Sequence, residues 1–101
     1  MDMRFLMKQA QAMQQKLQDA QQNLRAVGTA GGQMVTVTLN GAKELMDLTI
    51  AKEAIDPDDP SMLEDLLKAA FKDASAKADE GMQAVSGGMM GGGFNIAGLK
   101  L

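Results

Sequence analysis

"VTVTLNGAKELMDLTI", residues 35–50, decides the fold class of this chain of 101 residues. Val35, Val37 and Leu39 alternate with Thr36 and Thr38, a period of two that sends apolar and polar side chains to opposite faces of a strand. Asn40-Gly41 follows at once. That dipeptide is the strongest short hairpin signal, because both residues of a tight two-residue turn must accept positive φ. The return half offers Met46, Leu48 and Ile50 on one face and Leu45, Asp47 and Thr49 on the other. A short strand around 27–30 is expected before it. The centre of the chain therefore reads as a small antiparallel meander of about three strands, spanning about 27–51, with one covered face.

Upstream lies a long helix, expected over 3–26. Met3, Leu6, Ala10, Met13, Leu17, Ala20, Leu24 and Val27 step by three and four residues in turn, which is a heptad a/d seam. Seven glutamines, at 9, 11, 14, 15, 18, 21 and 22, fill the other positions as good helix formers. Gly28, Gly31 and Gly32 are read as the stop. Downstream, Asp59 as cap, Pro60 in the first turn and a Ser61/Glu64 capping box announce a second helix over 60–84. Its stripe is Leu63, Leu66, Leu67, Ala70, Phe71, Ala74 and Ala78. The seam of the first helix is expected to meet this stripe and form an arm. Together these elements make one α+β domain, residues 1–85, followed by a Gly/Met-rich tail at 86–101 that reads as flexible.

Composition excludes much chemistry. Cysteine and histidine are both absent, which removes disulfides, thiolate nucleophiles, zinc–sulfur sites and the usual general base near neutral pH. Asp56, Asp58 and Asp59 do not make a calcium loop. Counted from Asp56, the places for its sixth-position Gly and final Glu hold Ser61 and Leu67. The glycines at 28–32 lack the Gly-Lys-Ser/Thr of a phosphate-binding loop. No catalytic residue, metal, cofactor or small-molecule substrate is expected, and the chain does not read as an enzyme. No run approaches the roughly 18 apolar residues of a membrane span, and the first residues lack the apolar core of a signal peptide. The cytoplasm is the expected location.

Net charge is −3, but it is unevenly spread. Residues 1–25 hold four bases (Arg4, Lys8, Lys16, Arg25) against two acids, whereas residues 26–59 hold two lysines against six acids. The negative total argues mildly against a nucleic-acid partner, because phosphate neutralisation needs clustered Lys and Arg, but an average can hide a patch, and the first helix is the basic end of an acidic chain. Lys68, Lys72 and Lys77 stand on the second helix among Asp65, Asp73, Asp79 and Glu80.

The order of elements, with "LMKQAQAMQQKLQDAQQNL", then "VTVTLNG" and a return strand ending "LTI", then "DPSMLEDLLKAAFKDASAKA", resembles the YbaB/EbfC family of bacterial nucleoid-associated proteins. The likeness spans nearly the whole chain. It implies a homodimer whose strands associate at the centre and whose long helices project in pairs like tweezers. It also implies binding of duplex DNA with little sequence preference, on the nucleoid, with effects on nucleoid organisation and gene expression. The family carries no DNA-contact motif that transfers residue by residue, so the candidate contacts rest on charge: Arg4, Lys8, Lys16, Lys72 and Lys77, with Lys68 weaker because it lies near the acidic helix start. A second reading is a protein-interaction or scaffold module, in which the Met-rich seam and the tail's Met89, Met90 and Phe94 meet a partner, since Met suits adaptable surfaces.

Overall fold

The computed structural model describes residues 2–90, and its elements run α1 (Met3–Asn23), β1 (Ala26–Ala30), β2 (Val35–Leu39), β3 (Leu45–Ile50), a 3-10 turn (Lys52–Ala54) and α2 (Pro60–Met90). The α+β reading holds. The three strands form one antiparallel sheet in the order β1-β2-β3. β2 is the central strand, and Val35, Val37 and Leu39 on its α2 side are fully buried against Ala54, Ala70 and Ala74. Each such side chain contributes roughly 2 kcal/mol by leaving water.

Several boundaries moved, each for a local reason. The first helix ends at Asn23, with Leu24 already extended (φ −63°, ψ 141°), because residues from Ala26 onward are claimed by pairing with β2. The glycines that were read as its stop do other work. Gly28 lies inside β1 opposite Val37, while Gly31, Gly32 and Gln33 turn the chain from β1 into β2 at φ of 64°, 65° and 78°. Asn40-Gly41 does not form a two-residue turn. The connection runs over 40–44, and Lys43 takes the positive φ of 65°. The buried Asn40 side chain organises that loop. Its carbonyl accepts from the Ala42 and Glu44 N–H groups (both 2.9 Å), and its amide donates to Glu44 Oε1 at 2.7 Å. Gly41 is needed for closeness: a Cβ there would stand 2.6 Å from Met82 Sδ and 2.8 Å from the Ala20 carbonyl oxygen.

A register shift between Thr38 and Leu39 sets Leu45 opposite Leu39. Leu45 therefore belongs to the β2 core side, where strict alternation had put it on the other face. At the start of α2, Pro60 is the first helical residue, as expected. Ser61 does not build the capping box with Glu64, because its hydroxyl donates to Asp59 Oδ1 at 2.8 Å. The helix continues to Met90, beyond the expected end at 84, so part of the Gly/Met-rich segment is helical. Residues 91–101, with Phe94, Ile96 and Leu99, lie outside the described residues.

The two helices do not zip together along their length. The stripe of α2 packs on the sheet, and Phe71 is left 40% exposed at its flank. Gly31 lies against Leu66, Gly28 against Ala70 and Ala74, and Leu24 against Gly81. The chain from 24 to 31 thus runs antiparallel to α2, and α1 meets α2 only near its far end. Leu17, Ala20 and Leu24 are partly covered there, while Met3, Leu6, Ala10 and Met13 of the same seam are exposed. Residues 3–16 of α1 are all exposed and the long axis is 68 Å, well beyond the ~45 Å of a 31-residue helix, so among the described residues the N-terminal half of α1 projects past the body.

Candidate nucleic-acid interface

α1 starts cleanly. Asp2 caps it, with Oδ1 accepting from the Arg4 N–H at 3.0 Å. No acid occurs between Asp2 and Asp19, and within that span stand Arg4, Lys8 and Lys16. All three are exposed. The ion pairs found among the described residues are Lys43–Asp79 (2.9 Å) and Lys77–Asp73 (3.2 Å), so these three cations meet no acid there. Arg4 and Lys8 are four residues apart and share a face of the helix. Gln11 and Gln15 lie on the same side by helical spacing, and Gln15 donates to Asp19 at 3.0 Å. An exposed cationic helix with amide side chains interleaved can bond phosphates and sugars.

The second-helix candidates are placed differently. Lys72 is exposed on α2 midway between the buried Ala70 and Ala74, level with the sheet but on the helix face turned away from it. Lys77 is level with Val27. Neither lysine stands on the part of α2 that runs on past β1, which begins beyond Gly81. The Lys77 ammonium is also committed: it donates to the Val27 carbonyl at 3.1 Å and to Asp73 Oδ2 at 3.2 Å. Asp73 in turn accepts from the Thr29 N–H at 3.1 Å. That backbone bond, helped by Lys77, holds the Asp73 carboxyl below its ordinary value. Asp73 and Lys77 therefore tie α2 to the free edge of β1. The sequence showed an i, i+4 pair of opposite charge, but the backbone partners 44 and 50 residues away were invisible to it. Arg25, counted in the basic end, is likewise occupied, donating to the Gln22 and Leu24 carbonyls at the end of α1 (2.8 and 2.9 Å).

One further surface went unnoticed in the sequence. β3 is exposed along its length except at Ile50, and Leu45, Met46 and Leu48 stay 42–49% accessible, since α2 covers β1 and β2 only. Ile55 is also exposed, and a shallow apolar groove runs from it past Pro57 and Pro60 to Leu63 and Leu67. The described residues hold no cluster of three potential metal ligands, and no helix among them is long and apolar enough to cross a membrane.

Comparison with known proteins agrees with this architecture. A family model described as the YbaB/EbfC DNA-binding family matches residues 1–94. A nucleoid-associated protein of Chloroflexus aurantiacus is 47% identical over 98 residues, covering 90% of this chain and 98% of that protein. One from Caulobacter sp. is 48% identical over 109 residues, covering 98% and 97%. Among solved structures, an uncharacterized protein of Helicobacter pylori, HP0035, superposes with a TM-score of 0.71 at 26% identity, covering 90% of this chain and 99% of that one.

Proposed function

This chain belongs to the YbaB/EbfC DNA-binding family, and we propose that it grips duplex DNA through phosphate contacts from Arg4, Lys8 and Lys16 on the projecting half of α1. The observation that carries this reading is a stretch of exposed helix with three cations and no acid, on a chain whose net charge is negative. An acidic body with a basic arm steers DNA to one side of the molecule. Phosphate contacts carry no sequence information, so unrelated duplexes bind alike. On this reading the protein acts without catalysis, in the cytoplasm on the nucleoid, and affects nucleoid organisation and gene expression by occupying DNA. Lys72 adds charge from the body, and Lys77 contributes least because its ammonium is already bonded.

The working unit on this reading is a homodimer. The β1 edge is tied up by Asp73 and Lys77, whereas β3 presents a free edge and the apolar side chains Leu45, Met46 and Leu48. Two copies meeting at β3 would cover these side chains.

The test is fluorescence anisotropy with two unrelated labelled duplexes across a salt series, beside Lys8→Glu/Lys16→Glu. Six cations per dimer give an expected log–log salt slope of about −5, and the double variant should fail to bind. Affinity that hardly changes when salt is doubled would sink the phosphate mechanism. The rival reading, a protein-interaction module, draws on the bare Met3, Leu6 and Met13 of the seam. Removing residues 86–101 separates the two, since DNA binding through α1 survives the truncation and capture through the tail does not.

A further inference from the structure

Phe5 is one of three aromatic residues in the chain, and among the described residues it belongs to no core cluster. It is 57% exposed. Its neighbours Met3 and Leu6 belong to the heptad seam, but at about 100° per residue Phe5 points roughly a third of a turn away from it. The stripe it does belong to is Phe5, Lys8, Ala12 and Lys16, at i, i+3, i+7 and i+11. An aromatic ring therefore stands at the outer end of a row of cations, on the half of α1 that projects. Ala12 keeps the middle of that row low, so a rigid partner can approach the helix closely. Arg4, one residue away, adds charge beside the ring.

We propose that Phe5 is a wedge, inserted between adjacent base pairs of the duplex that Lys8 and Lys16 hold by its phosphates. The proposal rests on the DNA-binding reading and adds to it a contact with bases. Apolar side chains that enter between base steps unstack them and kink the duplex, and such insertion is sequence-tolerant except where a step opens easily. Phe supplies a flat face for stacking with few rotatable bonds to immobilise. The cations on the same stripe fix the helix against the backbone, which brings the ring to the groove. Binding would then be weakly biased toward flexible pyrimidine–purine steps without any base-specific hydrogen bond.

The experiment uses the full chain with a duplex carrying 2-aminopurine at a central TA or CA step, whose fluorescence rises when it is unstacked. Binding is read separately by anisotropy on the same duplex. Wild type should raise the fluorescence at saturation. Phe5→Ala should bind at least about fivefold more weakly, abolish the rise when saturated, and leave the salt slope unchanged. Phe5→Leu should retain most of the rise, since Leu also acts as a wedge. Binding by wild type with no fluorescence rise overturns the wedge and leaves the phosphate-reading arm standing. So does an unchanged signal in Phe5→Ala, or a Phe5→Ala protein whose change is in oligomer mass by light scattering, which would make Phe5 a contact between copies. If wild type binds neither this duplex nor the unrelated ones at low salt, the DNA reading itself fails and the wedge falls with it.

Discussion

The two edges of the sheet are chemically opposite. Along β1, the Thr29 N–H is taken by Asp73, the Val27 carbonyl by Lys77, and Gly28 is pressed against the α2 backbone. Along β3, nothing among the described residues covers the edge, and three large apolar side chains face solvent beside it. A free strand edge is a template for pairing with another chain, and proteins either block it or use it. Here α2 blocks one edge with two side chains placed one turn apart. It runs too far to that side to reach the other. The lateral position of one helix thus decides which edge is left open.

This contrast can be broken from either side. The largest effect is expected at Gly28. A Cβ there would overlap the Ala70 carbonyl oxygen and the Ala74 nitrogen, both backbone atoms that cannot step aside. Gly28→Ala should cost about 3 kcal/mol, read by urea denaturation. Gly32→Ala, where nothing lies within 4 Å but φ is +65°, should cost only about 1 kcal/mol. An equal cost at the two positions would show that α2 does not lie on β1 as described.

Next comes Leu48→Lys on the open side. It puts a charge in the middle of the apolar surface proposed to meet a second copy, and on that proposal should weaken self-association by roughly a hundredfold or more. Multi-angle light scattering would then report monomer mass at micromolar concentration. The monomer's own unfolding should barely move, since Leu48 is 42% exposed. A dimer that survives this change does not use the β3 surface.

Smaller effects are expected at the tie on β1. The Asp73 carboxyl is held below its ordinary value, chiefly by the Thr29 N–H and then by Lys77. Its contribution to stability is therefore fully present above the unfolded carboxylate pKa of about 4 and is lost as pH falls through the lowered folded value. Asp73→Asn should lower the melting temperature at pH 7 and flatten its fall in acid. Identical acid profiles for wild type and variant would remove Asp73 from the tie. The least change should come from Lys77→Met, which keeps the stem and gives up one exposed ammonium. Its stability cost should be within about 1 kcal/mol, and its effect on DNA affinity smaller than that of Lys8→Met. A larger DNA loss at Lys77 would mean that the cation leaves Asp73 when DNA is present.

Much of the fold was legible because it depends on neighbours in sequence. The period of two in 35–39, the heptad spacing of α1 and the Pro60 helix start are local patterns, and each marks its element, although the heptad pattern runs on past Asn23 into β1. The errors share a cause as well. By sequence alone Gly28, Gly31 and Gly32 read as helix breakers, because a glycine's local meaning is conformational freedom. The need for Gly28 is a helix backbone more than forty residues away. Asn40-Gly41 looked like a tight turn, yet Asn40 builds a longer loop and Gly41 makes room for Met82 and the end of α1. The candidate site divides in the same way. Arg4, Lys8 and Lys16 stand exposed on one helix, and a local pattern could find them. The engagement of Lys77, the bare β3 surface and the uncovered half of the seam follow from where α2 lies.

The sequence alone determined which segments are helix and strand, that the chain carries no histidine or cysteine chemistry, and that its net positive charge lies at the N-terminal end. Those properties are fixed by residue type and by spacing of a few residues. The tertiary structure decided which sheet edge is closed, which lysine is spent and how far α1 projects. These depend on the lateral position of α2 across the sheet. That position is set by the close approach of Gly28 to Ala70 and Ala74, between residues too far apart in sequence for any local pattern to record.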